Sequence, residues 1–108
     1  MDIIISGKDF KLTPSLKTYV TEKVGKLSHY WNKIIRARVE LDVDRNKKSG
    51  DLYRAQVWLE VPGKDIEVGG KASDMHAAID MLMPKLERLI AKAKGKGEAK
   101  LRKERRAD

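Results

Sequence analysis

From Ile35 to Asp44 the chain alternates without a break. Ile35, Ala37, Val39, Leu41 and Val43 are apolar, and Arg36, Arg38, Glu40, Asp42 and Asp44 between them are charged. A period of two belongs to an extended strand, whose successive side chains point to opposite faces. Sustained over this length, it demands a sheet with one dry face and one wet face. The dry face must be covered, so the remaining sequence has to supply both partner strands and a lid.

Partner strands are legible on either side. In LYRAQVWLEV the residues Tyr53, Ala55, Val57, Leu59 and Val61 face inward, and in KDIEVGGKA the inward set is Ile66, Val68, Gly70 and Ala72. Val61-Pro62-Gly63-Lys64 joins them with Pro and Gly at the central positions of a type II turn. NKKSGD reads as a loop, and DIIISGK as a β-branched strand from Asp2 to about Ser6, closed by Gly7.

The lid is helical. Thr13 can cap with its hydroxyl and Pro14 stands at the first helical position, where no N–H is needed. Leu16, Val20, Val24, Leu27 and Trp31 then form one apolar stripe at helical spacing. Gly25 weakens this helix by roughly 1 kcal/mol relative to Ala, which points to a close-packed position. A second helix begins after a cap at Ser73 or Asp74, with the stripe Met75, Ile79, Leu82, Leu86, Leu89 and Ala93. At about 100° per residue Pro84 falls opposite that stripe, on the solvent side, so it bends the helix without ending it.

The expected fold is therefore α+β, in the order β-α-β-β-β-α, a four-stranded sheet with two helices packed on one face. Residues 1–95 form a single domain, and 96–108, after Gly95, a basic, flexible C-terminal tail. A chain of 108 residues supports one core.

Charge is unevenly placed. Residues 1–84 hold 14 basic and 12 acidic side chains, whereas 85–108 hold 10 and 4, so +6 of the formal +8 sits in the last 24 residues. A basic protein of this kind favours a polyanionic partner. There is no cysteine, which excludes disulfides, thiol catalysis and thiolate metal sites. No secretory leader and no membrane span are expected, so the cytoplasm is the expected location. Nucleophile, Walker and dinucleotide motifs are lacking. His76 and Asp80, four apart, are two ligands at most and read as a hydrogen-bonded or exposed pair. The paired acids Asp42 and Asp44 lie on the wet side of a strand. No catalysis, cofactor, metal or small-molecule substrate is expected.

The cations are ordered. Lys85, Arg88, Lys92 and Lys96 follow one another at intervals of 3, 4 and 4 along one flank of the second helix, and Lys23, Lys26 and Lys33 share a sector of the first with Tyr19 and Tyr30. Both helices cover the same side of the sheet, so the rows can merge into one surface for nucleic-acid phosphates. Lysines also edge ordinary amphipathic helices. The sheet offers only Trp58 for stacking, which argues against an RRM, and we expect it to be packed under long neighbours. No GXXG loop supports a KH domain, and the acidic SDMHAAID does not match the basic second-helix start of a double-stranded RNA-binding domain.

The element order together with LTPSLKTYV, KVGKLSHYW and DMHAAIDMLMPKLERLIAKAKGKGEA resembles the bacterial ribosome hibernation-promoting factor and ribosome-associated inhibitor A family, over roughly residues 2–99. The resemblance implies a stress or stationary-phase factor that binds the decoding region of the small ribosomal subunit through ribosomal RNA. There it would block the mRNA path and the tRNA sites. The family's helix cations fall on Lys23, Lys26, Lys85, Arg88 and Lys92. His76 departs from a usual tyrosine, and Pro84 is a second departure. Ending at Asp108, the chain is expected to be a short form without the C-terminal domain that pairs ribosomes, and its KLRKERRAD tail is basic where the inhibitor branch is acidic. The free protein is expected to be monomeric. Two alternatives remain: a stand-alone double-stranded RNA-binding protein or RNA chaperone, and a protein–protein module using the open sheet face.

Overall fold

The computed structural model describes the backbone of residues 1–46 and 50–106 and the side chains of residues 1–45 and 50–95. Its elements are β1 (Asp2–Lys8), α1 (Pro14–Gly25), α2 (Leu27–Tyr30), β2 (Arg36–Asn46), β3 (Gly50–Glu60), β4 (Ile66–Ala72) and α3 (Met75–Arg106). The β-α-β-β-β-α order holds, with the first helix divided in two. The sheet has the order β1-β2-β3-β4. β1 runs parallel to β2, and the other pairs are antiparallel. A parallel first pair needs a crossover, and α1 with α2 provides it.

The alternation sets the faces as anticipated from Ala37 onward. Ala37, Val39, Leu41, Ala55, Val57, Leu59, Ile66 and Val68 are buried beneath the helices. Ile35 is the exception: it is 54% exposed and Ile34 is buried in its place. The backbone explains it, because β2 begins only at Arg36, so the two-residue period does not govern the approach to the strand. The loop expected around residues 47–49 lies outside the described residues. β1 runs two residues past the expected Ser6, to Lys8, and Asp9 follows at φ 52°.

Local signals for the helices are met. The Leu16 N–H donates to Thr13 Oγ1 at 3.1 Å, with Pro14 in the first turn. Gly63 has φ 89°, as the turn requires. Asp74, rather than Ser73, caps α3, its Oδ1 accepting from the Ala77 N–H at 2.8 Å. α3 continues through Pro84, which is exposed. It also continues across Gly95 and Gly97 as backbone helix to Arg106, past the point where the sequence starts the tail. Ile90 joins the buried stripe at 2% exposure. Gly25 is no close-packed position: a Cβ there would meet only Ile3 Cδ1, at 3.9 Å. It ends α1 instead.

The tight helix–sheet contact is at Gly70. A Cβ on this residue would stand 3.1 Å from the Ala78 carbonyl oxygen and 3.3 Å from Leu82 Cδ2, while one on the preceding Gly69 would meet nothing within 4 Å. Gly70 thus lets the backbone of α3 come down onto β4, and Gly69 faces the open side.

These adjacent glycines should respond oppositely to substitution. Gly70→Val should destabilise the fold by about 1–3 kcal/mol through overpacking, whereas Gly69→Ala should be neutral or stabilising by up to about 1 kcal/mol. Urea denaturation of both variants, read as a change in midpoint at constant slope, checks the pair.

Candidate nucleic-acid interface

With α3 seated on Gly70, its two flanks meet different surroundings. Lys85 reaches over the edge of β4, and its Nζ donates to the Gly69 carbonyl at 3.1 Å. The stem is half-buried, so this charge is held at the sheet edge rather than swinging free. It borders a groove of about 690 Å³ that also includes Lys8, Arg54 and Lys71, with the acids Glu40 and Asp42. Arg88 and Lys92 continue the same flank and are exposed. The side chain of Lys96 lies outside the described residues.

The opposite flank of α3 faces α1. Tyr19 donates its hydroxyl hydrogen to Asp80 Oδ1, and the His76 ring meets the Tyr19 ring edge-on, with centroids 4.6 Å apart. Lys23 Nζ stands 5.5 Å from the Tyr19 centroid and 3.9 Å from Asp80 Oδ1. The hydrogen bond to Asp80, helped by burial and by the negative charges of Asp80 and Asp74, pushes the Tyr19 pKa up to about 12. Tyr19 is therefore a fixed donor at ordinary pH. The Lys23–Asp80 pair is half-exposed and contributes little to stability, about 0–1 kcal/mol; its effect is to hold Lys23 in place. Lys26 and Lys33 are exposed. Further along, Lys94 Nζ donates to the Tyr30 carbonyl at 3.3 Å and ties α3 to the end of α2.

The two expected rows meet α3 at different flanks. Asp80 and Lys85 are five residues apart, about 140° around the helix, and the first points to α1 while the second points to β4. Lys85, Arg88 and Lys92 thus form an outer row and Lys23 and Lys26 an inner one, with the exposed Pro84 and Ala91 of α3 between them. Spacing within each helix is readable from sequence; which flank faces the neighbouring helix depends on packing. Lys94 falls outside the 3-4-4 row that the sequence displays, though its place on the flank of Asp80 follows from the same helical count.

The open face of the sheet is electrostatically different. Arg54 pairs with Asp42, Arg36 lies 3.7 Å from Glu60, and Gln56 donates to Glu67. Arg38 lies over Trp58 at 4.9 Å from the ring centroid, so Trp58 is covered as anticipated. By contrast, among the described residues no acidic side chain forms an ion pair with Lys26, Lys85, Arg88 or Lys92. Three arginines of the sheet face are thus engaged within the sheet, while four cations of the helix layer have no ion pair among the described residues. Among the described residues no three His, Cys, Asp or Glu side chains cluster as metal ligands, and no helix is long and apolar enough to cross a membrane.

Comparison with known proteins follows the same outline. Residues 3–98 match the family model described as Sigma 54 modulation protein / S30EA ribosomal protein. The chain is 32% identical over 108 residues to the ribosome hibernation promoting factor of Azotobacter vinelandii, covering 100% of this chain and 96% of that one. It is 34% identical over 96 residues to the protein of the same name from Escherichia coli K12, covering 89% and 96%. A ribosomal subunit interface protein from Coxiella burnetii shares the fold, with a TM-score of 0.78 at 22% identity, over 88% of this chain and 99% of that chain.

The Tyr19–Asp80 bond has a testable pH signature. The tyrosine pKa is raised on folding from 10.0 to about 12, so the stabilisation is complete below pH 10 and is lost as pH rises through the folded value. Wild type should exceed Tyr19→Phe in stability by a constant margin up to about pH 10, and the margin should close toward pH 12. Chemical denaturation of both proteins between pH 8 and 12 reads it directly, with the variant cancelling the titration of the lysines.

Proposed function

The chain belongs to the Sigma 54 modulation protein / S30EA ribosomal protein family, and on that premise we propose that it is a ribosome hibernation factor acting without catalysis. It binds the small ribosomal subunit at the decoding region, through ribosomal RNA, and occludes the mRNA path and the tRNA sites by its bulk. The relatives named ribosome hibernation promoting factor support the general role. The observation that supports the site is the contrast between Arg36, Arg38 and Arg54, engaged within the sheet face, and the helix cations Lys26, Lys85, Arg88 and Lys92, which have no ion pair among the described residues; Lys23, beside Asp80, completes the set. In this reading Lys96 extends the outer row.

Affinity then comes mainly from release of counterions from RNA phosphates, which needs no base sequence. Charges held on a folded helix lose little freedom on meeting phosphate. The backbone of segment 96–108 is helical as far as Arg106, but it lies beyond the last stripe residue, Ala93, and contains Gly97, so we propose that it acts as a basic tail whose position is fixed only on contact. Ordering costs roughly 1–2 kcal/mol per residue fixed, which lowers its yield per charge. The protein acts in the cytoplasm as a monomer, one copy per subunit.

Replacing Lys85, Arg88 and Lys92 together by Glu should abolish binding to small subunits while leaving the denaturation midpoint near wild type. Deleting Ala99–Asp108 should weaken binding modestly and reduce the salt slope by about 0.7–0.9 for each phosphate no longer neutralised. Filter binding across a salt series, with a generic RNA duplex as control, decides the matter. Equal affinity for the duplex, or failure of the deletion to bind while the triple variant still binds, would overturn the assignment. Translation should fall in proportion to protein added and level off near equimolar ribosomes; inhibition at far lower ratios would indicate turnover.

A further inference from the structure

Along α1 and α2, Tyr19, Lys23, Lys26 and Tyr30 recur at intervals of 4, 3 and 4, an aromatic at each end of the inner cationic row. The two aromatics are in opposite situations. Tyr19 is engaged: its hydroxyl is on Asp80, its ring is against His76, and Lys23 lies above it. Tyr30 is 55% exposed, the most exposed of the large hydrophobic side chains in the described residues. Among the described residues no ring pairs with it.

Its backbone is nevertheless fixed from two directions. The Trp31 N–H closes onto the Leu27 carbonyl at 3.2 Å, and Trp31 itself packs against the core. The Tyr30 carbonyl accepts from Lys94 Nζ at 3.3 Å. An exposed phenol ring on a rigid turn, with Lys26 one helical turn before it and Lys94 tied to its own carbonyl, combines a π-face with phosphate-attracting charge. That pairing is what single-stranded nucleic acid recognises: a base stacks on the ring while the backbone lies along the cations.

We propose that Tyr30 is a stacking platform for an unpaired RNA base, with Lys26 and Lys94 taking the flanking phosphates. The proposal rests on the RNA-binding reading above and adds an interaction that counterion release does not supply. Stacking tolerates any base, because each has a π-face. It also makes Tyr30 selective for a loop, bulge or splayed nucleotide over continuous duplex, where bases are already stacked.

The test uses the full chain and isolated small ribosomal subunits across a salt series, with Tyr30→Ala, Tyr30→Phe and Lys26→Gln. Tyr30→Ala should lower affinity about 5- to 150-fold, the range one stacked base supplies, with the salt slope unchanged. Tyr30→Phe should stay within about 2-fold of wild type, since the ring and not the hydroxyl carries the interaction. Lys26→Gln should flatten the slope by the equivalent of about one phosphate. Wild-type-like binding by Tyr30→Ala, when wild type binds subunits, overturns this inference alone. An equal loss in Tyr30→Phe and Tyr30→Ala assigns the effect to the hydroxyl and overturns it as well. If wild type itself does not bind subunits, the RNA-binding reading falls and takes the stacking role with it.

Discussion

The close approach of α3 to β4 at Gly70 determines where the charges of the helix layer end up. A side chain there would collide with the Ala78 carbonyl and with Leu82, so the bare backbone sets both the depth and the rotation of the helix. Once Ala78, Leu82, Leu86 and Ile90 point down into the core, every other position on α3 is committed. Lys85 must emerge beside the β4 edge, where it finds the Gly69 carbonyl. Asp80 must emerge toward α1, where it finds Tyr19 and Lys23. Two surface networks on opposite flanks thus follow from one buried contact.

Lys85 also has a structural use. β4 is an edge strand, and an exposed edge carries carbonyls and N–H groups that invite pairing by another chain. Donating a lysine to one of those carbonyls places a full positive charge on that edge. The same side chain therefore discourages strand addition and begins the outer cationic row. On β1, the other edge, Lys8 stands in register with Asp42, Arg54 and Lys71 across the sheet, and Asp42 in this row pairs with Arg54. Elsewhere on the open face Glu40, Asp44, Glu60 and Glu67 offset the arginines, which makes it a poor polyanion surface.

Much of this was legible in the sequence because it rests on local periodicity. The two-residue period of Ala37–Val43 and the helical stripe from Leu16 to Leu27 name the core almost residue for residue, and Thr13, Pro14 and Gly63 act through their own backbone requirements. Features that failed to show depend on where elements meet. Ile35 belongs to the alternating pattern, yet β2 starts one residue later and Ile34 takes the buried place. The division of the first helix at Lys26 occurs beside Gly25, a residue whose low helix propensity marks weakness without saying whether the chain stops. The order of the cations within each helix followed from counting, but their assignment to an inner and an outer row required the azimuth that Gly70 sets. Tyr19 and Asp80 are 61 residues apart in sequence, beyond the reach of any local pattern.

The separation of the rows bears on the shape of the partner. An α-helix with its side chains is about 10–12 Å across, so a flat or convex phosphate surface resting on the outer row would leave Lys23 and Lys26 on the far side of the α3 ridge. That ridge carries Pro84 and Ala91, neither of which attracts phosphate. Both rows are used together only when the ridge enters a cleft whose two walls each present an RNA backbone. Charge screening sharpens the requirement, because at physiological ionic strength the Debye length is about 8 Å and a phosphate on the wrong side of the helix is mostly screened. On the RNA-binding reading proposed above, a continuous duplex meets one row at a time, whereas a cleft in folded RNA meets both and can deliver a splayed base to Tyr30 at the end of the inner row. On the proposed reading, preference for the ribosomal subunit over generic duplex thus arises from spacing two ordinary cationic stripes one helix apart, with no base-specific hydrogen bond required.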